Sequence, residues 1–240
     1  MTIVGRVASL WRYPVKSMRG EKLGEAFLGF PGIHGDRLFA FEHADSPKEF
    51  PYLTGRKQRE MLLYRPRFRD MDPAFGLIVD VETPSGEVIA IDDPELMRLL
   101  GEGIGGAVAL TLSRSDRAMA DCHPVSLFSL QTAQQLGEEL GAALDERRFR
   151  ANIYADLESH AGFLEDTFVG RTLRIGSKAV ISILEREARC KMIGFDPDTA
   201  EPNPEVLRKV ALAHEGKAGV YGEVLVEGTI RRGDAIELLG

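Results

Sequence analysis

Cysteine is nearly missing from this chain: 240 residues carry two, Cys122 and Cys190, far apart in sequence. Such a pair is no disulfide framework and fits a reducing compartment. Two thiols are also too few for an internal four-cysteine iron–sulfur cluster. No histidine follows Cys190 at a short spacing, which argues against a Rieske-type centre. Long apolar runs are missing too. No window approaches the roughly 20 apolar residues of a membrane span. The opening MTIVGRVASLWRYPVK lacks the charged-then-apolar order of a secretion signal. Nor is positive charge in excess, with 30 Lys and Arg against 37 Asp and Glu and a net charge of −7. That balance speaks against an extended nucleic-acid face or a polybasic membrane patch. The expectation is a soluble cytoplasmic protein that binds neither nucleic acid nor membrane.

What is present is a dense series of strand patterns. The length is generous for one domain and short for two, so two merged halves are expected, at 1–115 and 116–240. Alternating stretches predict strands at Ile3–Leu10, Lys22–Leu28, Arg37–Glu42, Val108–Leu112, Arg147–Tyr154, Ala179–Leu184, Gly219–Glu227 and Thr229–Leu238. Phe75–Thr83 and Glu87–Ile91 form a hairpin pattern around Pro84-Ser85-Gly86. Three helices have capping signals: Asp93 before Pro94, Ser129 before Leu130–Leu140, and Asn203 before Pro204–His214. Gly101-Glu102-Gly103-Ile104-Gly105-Gly106 matches the letters of a dinucleotide fingerprint. It follows a helix and precedes a strand, the reverse of the order that motif requires, so it reads as a helix end and loop. The composite is a mainly β fold with a few helices.

The stretch from Glu185 to Thr199 has the most chemistry. A strand delivers Cys190 among Arg186, Arg189 and Lys191, and Asp196-Pro197-Asp198-Thr199 supplies a rigid turn just beyond it. Positive charge favours thiolate over thiol, which makes a cysteine a better nucleophile or soft-metal ligand. Taken alone, the pattern reads first as a small buried thiol, as most lone cysteines do. A metal-free thiol enzyme would need a base near Cys190, and none is visible. Lys16 and Ser17, after the Tyr13-Pro14 turn, can offer an ammonium and a hydroxyl to an anion, or stand as an ordinary strand end. Arg37 follows Asp36 and is either held by it or free to face a ligand. Alternation places Arg148, Arg150 and Asn152 on one strand face, suited to phosphate or carboxylate or simply to solvent. Cys122 and His123 are sequence neighbours that a strand would point to opposite faces, a poor proton-sharing dyad.

Set side by side, these stretches resemble the MOSC family, named for the C-terminal domain of molybdenum-cofactor sulfurases. The similarity is to the branch with an N-terminal β-barrel half, that of the mitochondrial amidoxime-reducing component and its bacterial relatives. Its carriers are Tyr13-Pro14-Val15-Lys16-Ser17, Gly35-Asp36-Arg37, Thr54-Gly55-Arg56, Phe149-Arg150-Ala151-Asn152-Ile153, Arg189-Cys190 with Asp196-Pro197-Asp198-Thr199, and Gly233-Asp234. The resemblance implies a MOSC β-barrel-like domain merged with an N-terminal β-barrel half, and a molybdenum-pyranopterin between them. It implies Cys190 as the protein thiolate on molybdenum and as the catalytic residue. Lys16, Ser17, Arg37 and Arg150 match positions that hold the pterin and its phosphate; Asp121, Cys122, His123 and Arg189 match the pocket wall. Val224 aligns with an aromatic that some relatives place near the pterin. The implied activity is reduction of N-hydroxylated compounds with electrons from a separate iron–sulfur or flavin protein. The alternative is a carrier or maturation protein for the cofactor. Neither an iron–sulfur cluster nor pyridoxal phosphate is expected within this chain.

Overall fold

The computed structural model describes residues 2–71, 77–105, 109–116, 119 and 122–239. In chain order its first half contains β1 (Thr2–Arg12), β2 (Glu21–Leu23), β3 (Glu25–Gly29), β4 (Gly32–Ile33) and β5 (Phe39–His43). β6 (Arg65–Asp70), β7 (Ile78–Glu82), β8 (Val88–Ala90), α1 (Pro94–Glu102) and β9 (Leu110–Arg114) follow. The second half opens with β10 (Val125–Ser129), α2 (Leu130–Leu140), β11 (Ile153–Leu157) and β12 (Thr172–Ile175). It continues through β13 (Ala179–Ala188), α3 (Pro204–Ala213), β14 (Lys217–Val226), β15 (Gly228–Arg231) and β16 (Ala235–Leu239).

Seven strands close into a barrel in the order β11-β10-β14-β13-β12-β16-β1, with β1 returning to β11. Closure leaves no unpaired edge within the ring. The inward faces supply its core, including Val7, Leu10, Leu127, Ile153, Ile181 and Ile236. β10 and β11 pair in parallel, and α2 lies in the connection between them. α2 and α3 bury Leu136, Val206 and Val210 against Phe128, Phe149 and Tyr154 in a separate layer. The other core gathers under β5–β9, the β6-β7-β8 meander and α1, around Phe41, Leu53, Met61, Val81, Leu96 and Leu100. Ladders tie the halves together: β1 is a stave of the barrel, and β15 pairs with β3.

The mainly β class, the hairpin and all three capped helices agree with the sequence reading, with Asp93, Ser129 and Asn203 each accepting a backbone N–H at a helix start. Gly101 and Gly103 end α1, and no helix opens from them. Three strand expectations need correction. Lys22–Leu28 is broken at Gly24 into β2 and β3. Thr229–Leu238 is divided by the turn at 232–234 into β15 and β16. Arg147–Tyr154 is no single strand: Glu146–Phe149 is a short 3-10 turn, Arg150 adopts φ 54°, and β11 begins only at Ile153. Asp145 forces this by accepting the Arg147 N–H at the turn start. The start of the expected strand at Phe75, the residues at Gly106 and Val108, and Asp121 lie outside the described residues. Among the described residues no helix is long and apolar enough to cross a membrane.

One buried polar group fixes the junction of β10 and α2. Glu165, fully buried, accepts from the Ser129 N–H at 3.1 Å, the Ser129 hydroxyl at 2.7 Å and the Thr132 hydroxyl at 2.8 Å. A donor left unpaired in the interior costs about 1–3 kcal/mol. Glu165→Ala should therefore lower stability by about 3 kcal/mol, with Glu165→Gln milder because it keeps acceptor capacity. Denaturant midpoints of the two variants check this, and an unchanged midpoint for Glu165→Ala would remove the network from the account.

Candidate functional site

At the end of β1 the chain turns through Tyr13-Pro14 and buries Lys16 and Ser17, each 7% exposed. They are not a solvated strand end. The Lys16 backbone N–H donates to Phe39 O at 2.8 Å, and Val15 bridges Phe39 in parallel, which fixes the segment against β5. The Lys16 ammonium donates to Met119 O at 2.8 Å and faces the rings of Phe50 and Tyr52 at 5.4 and 5.5 Å. Ser17 sits at φ 66°, in the left-handed region. Arg37 at φ 50° and Arg150 at φ 54° share that conformation. Left-handed backbone is uncommon in residues bearing a Cβ. Its recurrence at three positions expected to bind one anion is the kind of local strain that a fold retains where side chains must be aimed.

Tyr13 organises the arginines. Its backbone N–H donates to Asp36 Oδ1 and its carbonyl accepts from the Arg37 N–H, both at 2.7 Å. Its hydroxyl donates to Ala151 O at 3.2 Å, across the two halves. The guanidinium carbons of Arg37 and Arg150 lie 4.6 and 4.4 Å from its ring centre. Burial raises the Tyr13 hydroxyl above the ordinary phenol range despite both cations, so it remains a neutral donor. Arg37 both pairs with Asp36, at 2.5 Å, and donates to Arg150 O at 3.0 Å, holding the strained residue in place. Burial works against its charge, yet Asp36 and Tyr13 together keep it more basic than an ordinary arginine. Arg150 is different. Burial, with Arg37 adding repulsion, lowers its basicity, and among the described residues no carboxylate pairs with it.

Cys190 ends β13 and begins a 3-10 turn over Lys191–Gly194. Register shifts between Ile183 and Glu185 and between Arg186 and Ala188 twist the strand on its way there. The expected cationic trio is only partly assembled. Arg186 turns away to Asp166 and Glu215, each at 2.8 Å, and Lys191 is exposed. Arg186 falls on the side of Val180, Ser182 and Leu184, opposite the buried Ile181, Ile183 and Glu187, and Lys191 lies beyond β13 in the 3-10 turn. Arg189 stays and is deeply fixed: Nε donates to Ala218 O at 2.6 Å, and Nη1 donates to Phe149 O at 2.8 Å and to Glu187 at 2.6 Å. A Cβ on Gly219 would lie 3.0 Å from Arg189 Nη2, so only glycine admits the guanidinium here. The Asp196–Thr199 turn serves the arginines. Asp196 Oδ1 accepts from the Asp198 and Thr199 N–H groups at 3.0 Å, while its Oδ2 takes Arg148, also at 3.0 Å.

These segments meet around a narrow cavity of about 100 Å3, between the barrel end and the Tyr13–Ser17 segment. Lys16, Ser17, Arg37, Arg150, Arg189 and Cys190 all line it, as does His123. Cys122 is exposed and is not part of the lining, and Asp121 falls outside the described residues. His123 is 3.1 Å from Glu185 and tilted against Tyr221. Val224, aligned with a pterin-facing aromatic, packs instead into the barrel core. Ser126, Glu187 and Tyr221 are lining residues that sequence reasoning missed. Tyr221 lies three residues before Val224, and burial together with the Glu187 charge raises its hydroxyl well above the phenol range. Asn152, placed with the arginines by alternation, is buried against Ser126 and lines the cavity too. Three buried guanidinium nitrogens in this wall have no hydrogen-bond partner among the described residues: Arg148 Nε and Nη1, and Arg189 Nη2. Such groups are costly unless an anion completes them. One thiol among several cations suits an anionic ligand that brings a soft metal.

The family described as the MOSC domain matches residues 114–237, and the MOSC N-terminal beta barrel domain matches residues 4–94. No curated protein matches the sequence. Among solved structures the chain is similar to the YuaD protein of Bacillus subtilis, with 14% identity and a TM-score of 0.52 over 98% of this chain and 95% of that one. That likeness concerns the fold. YiiM of Geobacillus stearothermophilus matches at 19% identity and a TM-score of 0.39, over 49% of this chain and 55% of its own. YiiM of Escherichia coli matches at 14% identity and 0.36, with the same coverage. With both domain descriptions matched in order, and with a closed barrel behind the Cys190 cavity, the chain belongs to the MOSC-domain family.

Proposed function

We propose that the Cys190 cavity holds a molybdenum-pyranopterin and that the protein reduces N-hydroxylated compounds such as hydroxylamines and amidoximes. One observation carries this reading: Cys190 shares a single cavity with Lys16, Ser17, Arg37 and Arg150, contributed by both halves of the chain. The orphaned guanidinium nitrogens of Arg148 and Arg189 fit an anionic group there. Among the described residues no cluster of three or more His, Cys, Asp or Glu side chains could hold a bare ion. A metal bound to Cys190 must therefore arrive with its other ligands, as a pterin dithiolene provides.

When bound, the cofactor would supply two-electron, oxygen-removing chemistry. The chain's own residues would bind and orient. Cys190 would offer its thiolate to the metal. Arg150, Lys16 and the Ser17 hydroxyl would hold phosphate and pterin oxygens by charge-assisted hydrogen bonds. Arg37, kept charged by Asp36, would hold the field positive at every physiological pH. In balance, an N-hydroxylated substrate takes two electrons and two protons and leaves as the amine or amidine plus water. A separate iron–sulfur or flavin protein would return the electrons, and the proposed setting is the cytoplasm.

Three outcomes are expected. Cys190→Ser should abolish sulfur coordination of molybdenum by the protein, read by X-ray absorption, whereas Cys122→Ser should leave it intact; equal loss in both would sink the assignment. Arg150→Ala should release most of the cofactor while the unloaded fold persists, because among the described residues no carboxylate pairs with its side chain. Cofactor retained at full occupancy in Arg150→Ala and in Lys16→Ala would remove the anion site. Loaded protein should reduce benzamidoxime with an artificial one-electron donor and stay inactive with NADH alone, and Cys190→Ala should stop turnover. Full molybdenum loading with no reduction of any hydroxylamine or amidoxime would favour the carrier function instead.

A further inference from the structure

A second cavity, of about 560 Å3, adjoins the first and shares Arg148, Arg150 and Met192 with it. Met192 is seated by Gly55, where a Cβ would come within 2.7 Å of its sulfur. The lining of this larger space is strongly cationic, with Arg19, Lys22, Arg65, Arg67 and Arg147 joining the shared arginines against a single carboxylate, Glu21. Most of these charges are already compensated. Arg19 and Arg147 pair with Asp198, Arg148 with Asp196, and Arg65 with Glu82. Glu21 is taken by Arg12 at 2.7 Å. Three cations are left without a carboxylate among the described residues: exposed Lys22 on β2, exposed Arg67 on β6, and Arg150 where the cavities meet. Half-buried Trp11 and Phe195 add two aromatic rings to the wall.

Uncompensated charge at an open mouth, aromatic rings along the wall and a junction with the thiol cavity define a ligand. It carries an anionic group for Lys22 and Arg67, a planar ring to lie beside Trp11 and Phe195, and a reactive end that passes the junction toward the Cys190 cavity. We infer that this cavity is the substrate site and that it prefers phosphorylated, ring-bearing N-hydroxylated compounds, of the nucleoside monophosphate type, over their neutral parents. The inference rests on the reductase reading for the chemistry, but the binding preference stands on this cavity alone. A phosphate dianion at two exposed cations is also screened by salt, so the preference should weaken as ionic strength rises.

The sequence has one tryptophan, Trp11, and it lines this cavity, so its fluorescence reports occupancy without any turnover. Cofactor-loaded and unloaded protein are titrated with cytidine monophosphate and with cytidine. The monophosphate should saturate the signal at a concentration at least about tenfold lower than the nucleoside, the scale of one charge-assisted hydrogen bond. In the double variant Lys22→Ala, Arg67→Ala that preference should vanish. Equal binding of the two ligands, or a preference that survives the double variant, overturns the inference. So does loss of monophosphate binding on cofactor loading, since the larger cavity would then belong to the cofactor. Failure of the reductase reading has a separate signature: the preference is present, yet loaded protein reduces neither benzamidoxime nor hydroxylaminopurine riboside monophosphate.

Discussion

The site depends on keeping several cations close together in a partly buried cleft without neutralising each of them. Like charges repel, and removal from water penalises every one. The fold answers with partners that are only partial. Tyr13 presents its ring to Arg37 and Arg150, Asp36 compensates one of them, and backbone carbonyls of Ala218 and Phe149 take Nε and Nη1 of Arg189 but leave Nη2 open. What is left over is a positive field with Arg150 at its centre. Had carboxylates matched every guanidinium, the cleft would be more comfortable and useless for binding an anion.

The same economy explains why the two halves interlock. Lys16, Ser17 and Arg37 come from one half, Arg150 and Cys190 from the other, and none of them touches the cavity unless the Tyr13 segment is docked on the barrel end. Docking is secured by hydrogen bonds that span the sequence, such as Tyr13 to Ala151 and Arg37 to Arg150 O. The register shift in β1 between Val7 and Ser9 re-aims the strand just before it leaves the barrel for this contact.

Much of this was legible in the residues. Capping chemistry is local, so Asp93, Ser129 and Asn203 declared their helices without help from the rest of the chain. The short motifs at Lys16-Ser17, Arg37, Arg150 and Cys190 identified side chains that do share one cavity. Alternation failed where the backbone departs from a regular period. The 3-10 turn before Arg150 mimics a strand in its spacing of polar and apolar residues, while Arg186 is drawn to Asp166 and Glu215 on the side opposite the buried Glu187. Ser126, Glu187 and Tyr221 carried no local signal, because each reaches the cavity through strand pairing between distant segments. The larger cavity was equally invisible, since its wall is drawn from seven separate stretches between Trp11 and Pro197.

The barrel's closure also dictates a sequence of events during biosynthesis. Residues 2–12 must find their neighbours at 153–157 and at 235–239, and Tyr221 lies on a stave in between. Entropy makes such distant pairings slow, and the ring cannot close before its final stave has left the ribosome. Until β16 emerges, the edge of β1 that pairs with it stays open to mispairing. A ligand that needs both walls of the cleft has nowhere to sit until the ring has closed; loading belongs to the folded barrel.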